Sequence, residues 1–146
     1  MALFRRQKEF IDKLEIEFFA ILRDTINDFD FVVKDFIINK QLFREGIDST
    51  GEKMPGYKRL TIRYKLAKGD PADRRTLRDS GEFYESIRIE AFNDRFEVSS
   101  DVTHAKWIIY HHSEKVLGLT KENLKEFFQN YYLPKLKNYV NNRLTK

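Results

Sequence analysis

The sequence predicts an α+β domain: a small antiparallel sheet flanked by long N-terminal and C-terminal helices, with a long loop excursion between the first helix and the sheet. Three observations predict it. Apolar residues recur at three- and four-residue steps near both ends of the chain, two short alternating runs flank Asn93-Asp94, and four of the six glycines fall between Arg44 and Gly69. At 146 residues the chain fits one domain. We divide it into an N-terminal helix (1–30), the excursion (44–76), a helix and β-hairpin (77–100) and a C-terminal helix (120–146).

The first helix is expected from Phe4 to Phe29. Phe10, Leu14, Phe18, Ile21, Leu22, Thr25 and Phe29 form one stripe, and Lys8, Asp12, Lys13, Glu15, Glu17 and Arg23 occupy the other face. The next run, FVVKDFIINKQLF (31–43), suits either a helix or a strand. Its β-branched Val32, Val33, Ile37 and Ile38 favour an extended segment, although Phe36, Leu42 and Phe43 would also suit a helical face. Gly46, Asp48, Ser49 and Gly51 then make a turn cluster, and Pro55-Gly56 makes a second. Tyr57 to Ala67 reads as a short basic helix with Thr61 near its start, ended by Gly69-Asp70-Pro71 because the residue before a proline avoids the helical region.

In TLRDSGEFYES (76–86), Asp79 or Ser80 can cap a short helix by accepting from its first free N–H groups. Ile87 to Ala91 and Phe96 to Ser99 alternate apolar and polar residues around Asn93-Asp94, a hairpin pattern. His104 to His112 is either a helix or a strand. Thr120 is placed to N-cap a helix running from Lys121 to about Asn142 along Leu124, Phe127, Phe128, Tyr131, Tyr132, Leu136 and Val140. Pro134 lies inside that pattern and is expected to kink or split it.

Composition narrows the function. With no cysteine, disulfides, zinc–thiolate sites and thiol nucleophiles are excluded. No apolar run approaches the roughly 18 residues of a membrane span, and the charged start does not read as a signal peptide. We therefore expect a protein made in the cytoplasm and without a membrane partner. The net charge of +4, from 27 Lys and Arg against 23 Asp and Glu, is modest and mixed along the chain. A dedicated nucleic-acid binder usually carries a denser basic patch.

The glycines do not form a phosphate cradle. Gly51 is followed by Glu52, Lys53, Met54 and Pro55 instead of the Gly-Lys-Ser/Thr that opens a helix beneath phosphates. The three histidines, His104, His111 and His112, lie near Asp101 and Glu114. A metal would need three of these groups to converge, yet adjacent His111 and His112 point to different sides of any helix or strand. A metal-dependent hydrolase using His104, His112 and Asp101 is accordingly a minor alternative. Asp70, Asp73, Asp79 and Glu82 alternate with Arg74, Arg75 and Arg78 and read as a solvated, self-neutralising stretch. Ser80 precedes Gly81 but lacks the upstream glycine of a nucleophile elbow. The basic and aromatic series Tyr57, Lys58, Arg59, Arg63, Tyr64, Lys65 and Lys68 suits stacking and phosphate neutralisation. It equally suits contact with an acidic protein neighbour, and we favour protein over nucleic acid.

Taken in order, FREGIDSTG (43–51), Met54-Pro55, Thr61 with Lys65, LRDSG (77–81) with Ser86-Ile87, FEVSS (96–100), IYHH (109–112) and LGLT (117–120) before a terminal helix form a series. It resembles the small virion morphogenesis, or tail-completion, proteins of tailed phages and prophages, including the Mu-like group. The likeness covers roughly Phe43 to Val140. The chain departs from that pattern in having Ser80-Gly81 for Thr-Gly, Ser113 to Val116 for an Arg-Pro-Phe segment, and no glycine after the histidine segment.

The resemblance implies a non-enzymatic structural protein without cofactor or metal, assembled in the host cytoplasm into the virion. It implies a ring of identical subunits in the neck or at the head-proximal end of the tail, touching portal, connector or tail proteins. By the same resemblance, Ile47 to Lys68 is the excursion that reaches a neighbour and becomes ordered on assembly. Asp48, Met54, Tyr57, Arg59, Arg63, Tyr64 and Lys65 are its expected contact residues.

Overall fold

A computed structural model describes residues 2–145. Met1 and Lys146, which the expected terminal helices include, lie outside the described residues. Helix α1 runs from Ala2 to Asp28, as the apolar stripe predicts. Its second half buries Thr25 and Ile26, and the Thr25 hydroxyl is satisfied within the helix by donating to the Ile21 carbonyl at 2.7 Å. Phe29 breaks the helix with φ −121° and ψ 29°, and its carbonyl accepts from Val32 and Val33 as the chain restarts.

The expectation of an extended segment over 31–43 is overturned. Helix α2 spans Asp30–Asp35 and continues as wider π-helical turns over Phe36–Glu45. The buried residues explain why: Val32 and Val33 are followed four residues later by Phe36 and Ile37, then five residues later by Gln41 and Leu42. The first step is the α repeat and the second is the π repeat, so the wide turn brings Gln41 and Leu42 inward while Lys40 is left at the surface with Glu126, 2.7 Å away. Packing on both sides outweighs the strand preference of the β-branched residues. Gly46, at φ +66°, ends this helix, and its N–H and that of Ile47 both reach the Gln41 carbonyl.

Strands β1 (Ile87–Ala91) and β2 (Phe96–Ser100) pair antiparallel from Ile87 with Ser100 to Ala91 with Phe96. Phe92 and Arg95 close the turn through a 2.7 Å bond. Ile87, Ile89, Phe96 and Val98 face a core built with Ile26, Val33, Ile37 and Phe127. A short helix α4 (Glu82–Glu85) leads into β1; neither Asp79 nor Ser80 is its N-cap, a position held by Gly81 at φ +95°, and the Ser80 hydroxyl instead closes a local turn by accepting from Glu82 N–H at 3.3 Å.

Thr120 caps α6 (Lys121–Phe127) by accepting from Asn123 N–H at 3.2 Å. Pro134 does not split the helix: it continues through a π turn over Phe128–Tyr132 into α7 (Leu133–Leu144), whose first turn holds that proline, and the junction residues keep helical backbone angles. Helix α7 runs antiparallel to α1: Lys135 pairs with Asp28 near one end, and Tyr139 and Arg143 both reach Glu17 near the other. The observed fold is thus a two-stranded antiparallel sheet with long terminal helices. Among the described residues, no helix is long and apolar enough to cross a membrane.

Candidate functional site

The segment between Arg44 and Thr76 is docked on its own chain. Its first half is an internal fastener: Asp48 Oδ1 accepts from Thr50 N, Thr50 Oγ1 and Glu52 N at 2.8, 2.6 and 3.3 Å, closing a turn bridged by Ile47 and Lys53. Ser49 N–H donates to the Lys115 carbonyl at 2.7 Å, and Gly118 passes so close to Ser49 that a β-carbon there would lie 3.1 Å from the serine's. Met54 packs against the core.

Helix α3 (Arg59–Lys68) follows the prediction of a short basic helix. It lies against residues 75–81 through polar bonds. The Tyr57 hydroxyl accepts from Thr76 N–H at 2.9 Å, the Lys65 ammonium donates to the Arg78 carbonyl, and Lys68 pairs with Asp79 at 2.9 Å. The last pair holds the Asp79 carboxyl below its ordinary pKa and the Lys68 ammonium above its own, chiefly through their mutual hydrogen bond. Arg75 donates to the carbonyls of Pro55 and Gly56 at 2.6 and 2.8 Å, and its Nη1 lies 2.9 Å from His112 Nε2. Lys65 and Arg75 lie over the Tyr57 ring, 5.4 and 5.3 Å from its centre.

Helix α5 (Ala105–His112) stands opposite, so the His104 to His112 segment resolves as helix. Ala105 and Ile108 face the core, which turns Trp107 and Tyr110 outward. Between α3, residues 75–81 and α5 lies a groove of about 490 Å³. Leu77, Phe83 and Ile108 form its floor, Thr61 and Tyr64 one wall, and His104, Trp107 and His112 the other. Leu77 adopts φ +56°, a left-handed conformation that costs a leucine about 1–2 kcal/mol. Burial, then Arg75, then His111, hold the His112 pKa below its ordinary value. The Tyr84 hydroxyl beneath the groove donates to the Thr76 carbonyl, and burial raises its pKa.

The expected contact residues divide accordingly. Arg59, Arg63 and Tyr64 are exposed, Met54 and Tyr57 are half-buried, and Asp48 and Lys65 are buried in bonds to their own chain. Those last two therefore order the excursion from within and are not surface contacts. The sequence reading missed the opposite wall, Trp107 above all. A signal for it was present: the sole tryptophan sits in AKWIIYHH, where Ala105 and Ile108 are three apart and Trp107 and Tyr110 are three apart on another face. His104 and His112 do share the groove, but Asp101 pairs with Arg88 at 3.1 Å. Among the described residues no three histidine or carboxylate groups converge to hold a metal. No protein-family model, curated protein or solved structure matches this chain.

Proposed function

We propose that this chain is a structural virion protein of a tailed phage or prophage, a neck or tail-completion component that assembles into a ring of identical subunits. The ordered motif series from Phe43 to Val140 supplies the class, and one structural observation supports an assembly role. Tyr64 and Trp107 line a single open groove, while Leu60, Leu66 and Tyr110 stand exposed on the same two helices, Leu60 and Tyr110 at 79% and 84%. Exposed apolar surface beside a cleft marks a protein contact more often than solvated surface does. The excursion then serves assembly through α3, where Leu60, Tyr64 and Leu66 are exposed.

The test is the mass of the purified chain in solution, alone and with portal or tail-tube protein. An oligomer, or a stable complex with either partner, is expected. A strict monomer that binds neither overturns the reading. The same exposed face, with Arg59 and Arg63 beside Tyr64, also has the chemistry of a nucleic-acid strand site. Tight DNA or RNA binding that falls steeply with salt and is lost in an Arg59→Ala, Arg63→Ala double variant, without any protein complex, would replace assembly by that function.

A further inference from the structure

We infer that the free edge of β2 is a pairing edge, and that two copies of the chain join there by antiparallel β2–β2 contact centred on Val98, making one continuous sheet across both copies. The inference goes beyond the assembly reading above and does not use the groove.

The register of the hairpin decides which backbone groups are free. In an antiparallel pair, opposed residues alternate between those that exchange both ladder bonds and those whose N–H and C=O point away from the partner strand. The Phe92 N–H donates to the Arg95 carbonyl at 2.7 Å, so the alternation makes Glu90 with Glu97 and Arg88 with Ser99 the bonded pairs. Phe96, Val98 and Ser100 therefore direct their N–H and C=O groups away from β1. Among the described residues β2 has no second strand beside it, and no other backbone group meets those of Phe96, Val98 and Ser100. The usual protections of an edge are missing too: FEVSS (96–100) holds no lysine, proline or glycine, and its ladder with β1 runs without a bulge. A two-stranded sheet gains stability from added strands.

A second β2 fits this edge in one register. With Val98 opposite Val98, Phe96 lies opposite Ser100, so the residues with outward groups on one copy meet those with outward groups on the other and exchange both bonds. On the core face Ile89 already lies opposite Val98 within each copy, and the two half-buried valines extend that β-branched strip across the joined sheet. On the solvent face Arg95, just before β2, comes opposite Asp101, just after it, at both ends of the contact; both side chains are exposed. A slip of two residues either way instead sets Glu97 against Glu97 or against Asp101, acid facing acid, and a slip of one residue turns the outward groups onto groups already bonded to β1. Because β2 meets its own copy, the contact is two-fold and joins copies in pairs; on subunits that form a ring through another surface, it stacks two rings.

The experiment uses the full-length chain and follows amide hydrogen exchange through a dilution series. The outward amides of Phe96, Val98 and Ser100 are expected to exchange about tenfold more slowly at high concentration than at low, while those of Glu97 and Ser99, bonded to β1, stay slow throughout. Arg95→Asp and Asp101→Arg each set like charges opposite one another, and each variant alone should associate about tenfold more weakly than wild type. Mixed in equal amounts they should recover pairing, because the mixed dimer restores both opposite-charge contacts. Val98→Pro removes an outward N–H without touching a β1–β2 bond, so it should keep the circular dichroism of wild type and lose the concentration dependence at Phe96 and Ser100. Outward amides that exchange alike at every concentration, or a mixture that associates no better than its parts, overturn the inference. A chain that still forms larger oligomers in that case leaves the ring reading standing, whereas a β2 dimer that grows no further and binds neither portal nor tail-tube protein supports the inference and removes the ring.

Discussion

Gln41 joins three parts of the chain from a fully buried position. Its Nε2 donates to the Gly118 carbonyl at 2.8 Å, and its Oε1 accepts from Thr120 N–H at 3.0 Å and Asn123 Nδ2 at 2.8 Å. Gln41→Leu preserves the bulk but leaves those groups without partners in the interior, where each costs about 1–3 kcal/mol. The expected loss is at least about 3 kcal/mol, read as a lower urea midpoint at unchanged slope; a loss below about 1 kcal/mol would mean that the α6 cap does not depend on it. His112 supplies a second residue-scale prediction. Burial first, then the Arg75 guanidinium that its Nε2 faces, then His111, disfavour the proton in the folded chain. The unfolded chain then takes up that proton first as pH falls below the ordinary value of 6.5, and stability drops from there until the folded imidazole also titrates. Above that range this histidine contributes no slope. In His112→Gln, whose carbonyl can still accept from Arg75, the part of the pH dependence belonging to this site should vanish, and an unaltered profile in thermal melts would reject the assignment.

At the scale of elements, α3 is held by polar bonds more than by packing: Leu60 and Leu66 point to solvent, and the helix buries Lys65. Lys65→Met keeps the aliphatic stem and removes the donor to Arg78 and the charge beside Asp70. The expected result is faster amide exchange confined to α3 and residues 54–58, by about 1–2 kcal/mol of local opening, with the β1–β2 amides unchanged. Uniform acceleration throughout the chain would instead make α3 part of the global unit. The same element shows why the fold was only partly legible. Helices α1 and α6 and the hairpin follow from local spacing and from Thr120, and they fall where the sequence puts them. The run 31–43 misled because the step from Ile37 to Leu42 is five residues, which breaks the α repeat and leaves β-branched content as the remaining cue. The groove was hidden for a different reason: Tyr57 with Thr76, Lys65 with Arg78 and Arg75 with His112 are contacts across 19, 13 and 37 positions, and no local pattern encodes them.

For the whole molecule, the proposed assembly joins surfaces that are already folded in the single chain. Tyr64 on α3 and Trp107 on α5 line the groove, and Leu60, Leu66 and Tyr110 stand exposed on the same two helices. Both helices are formed in the single chain, α3 over Arg59–Lys68 and α5 over Ala105–His112. Association through them should therefore leave far-ultraviolet circular dichroism unchanged, as for partners that dock with little backbone movement. Spectra recorded across the concentration range over which the chain associates check this, and a helical gain on association would show that α3 or α5 orders only on contact.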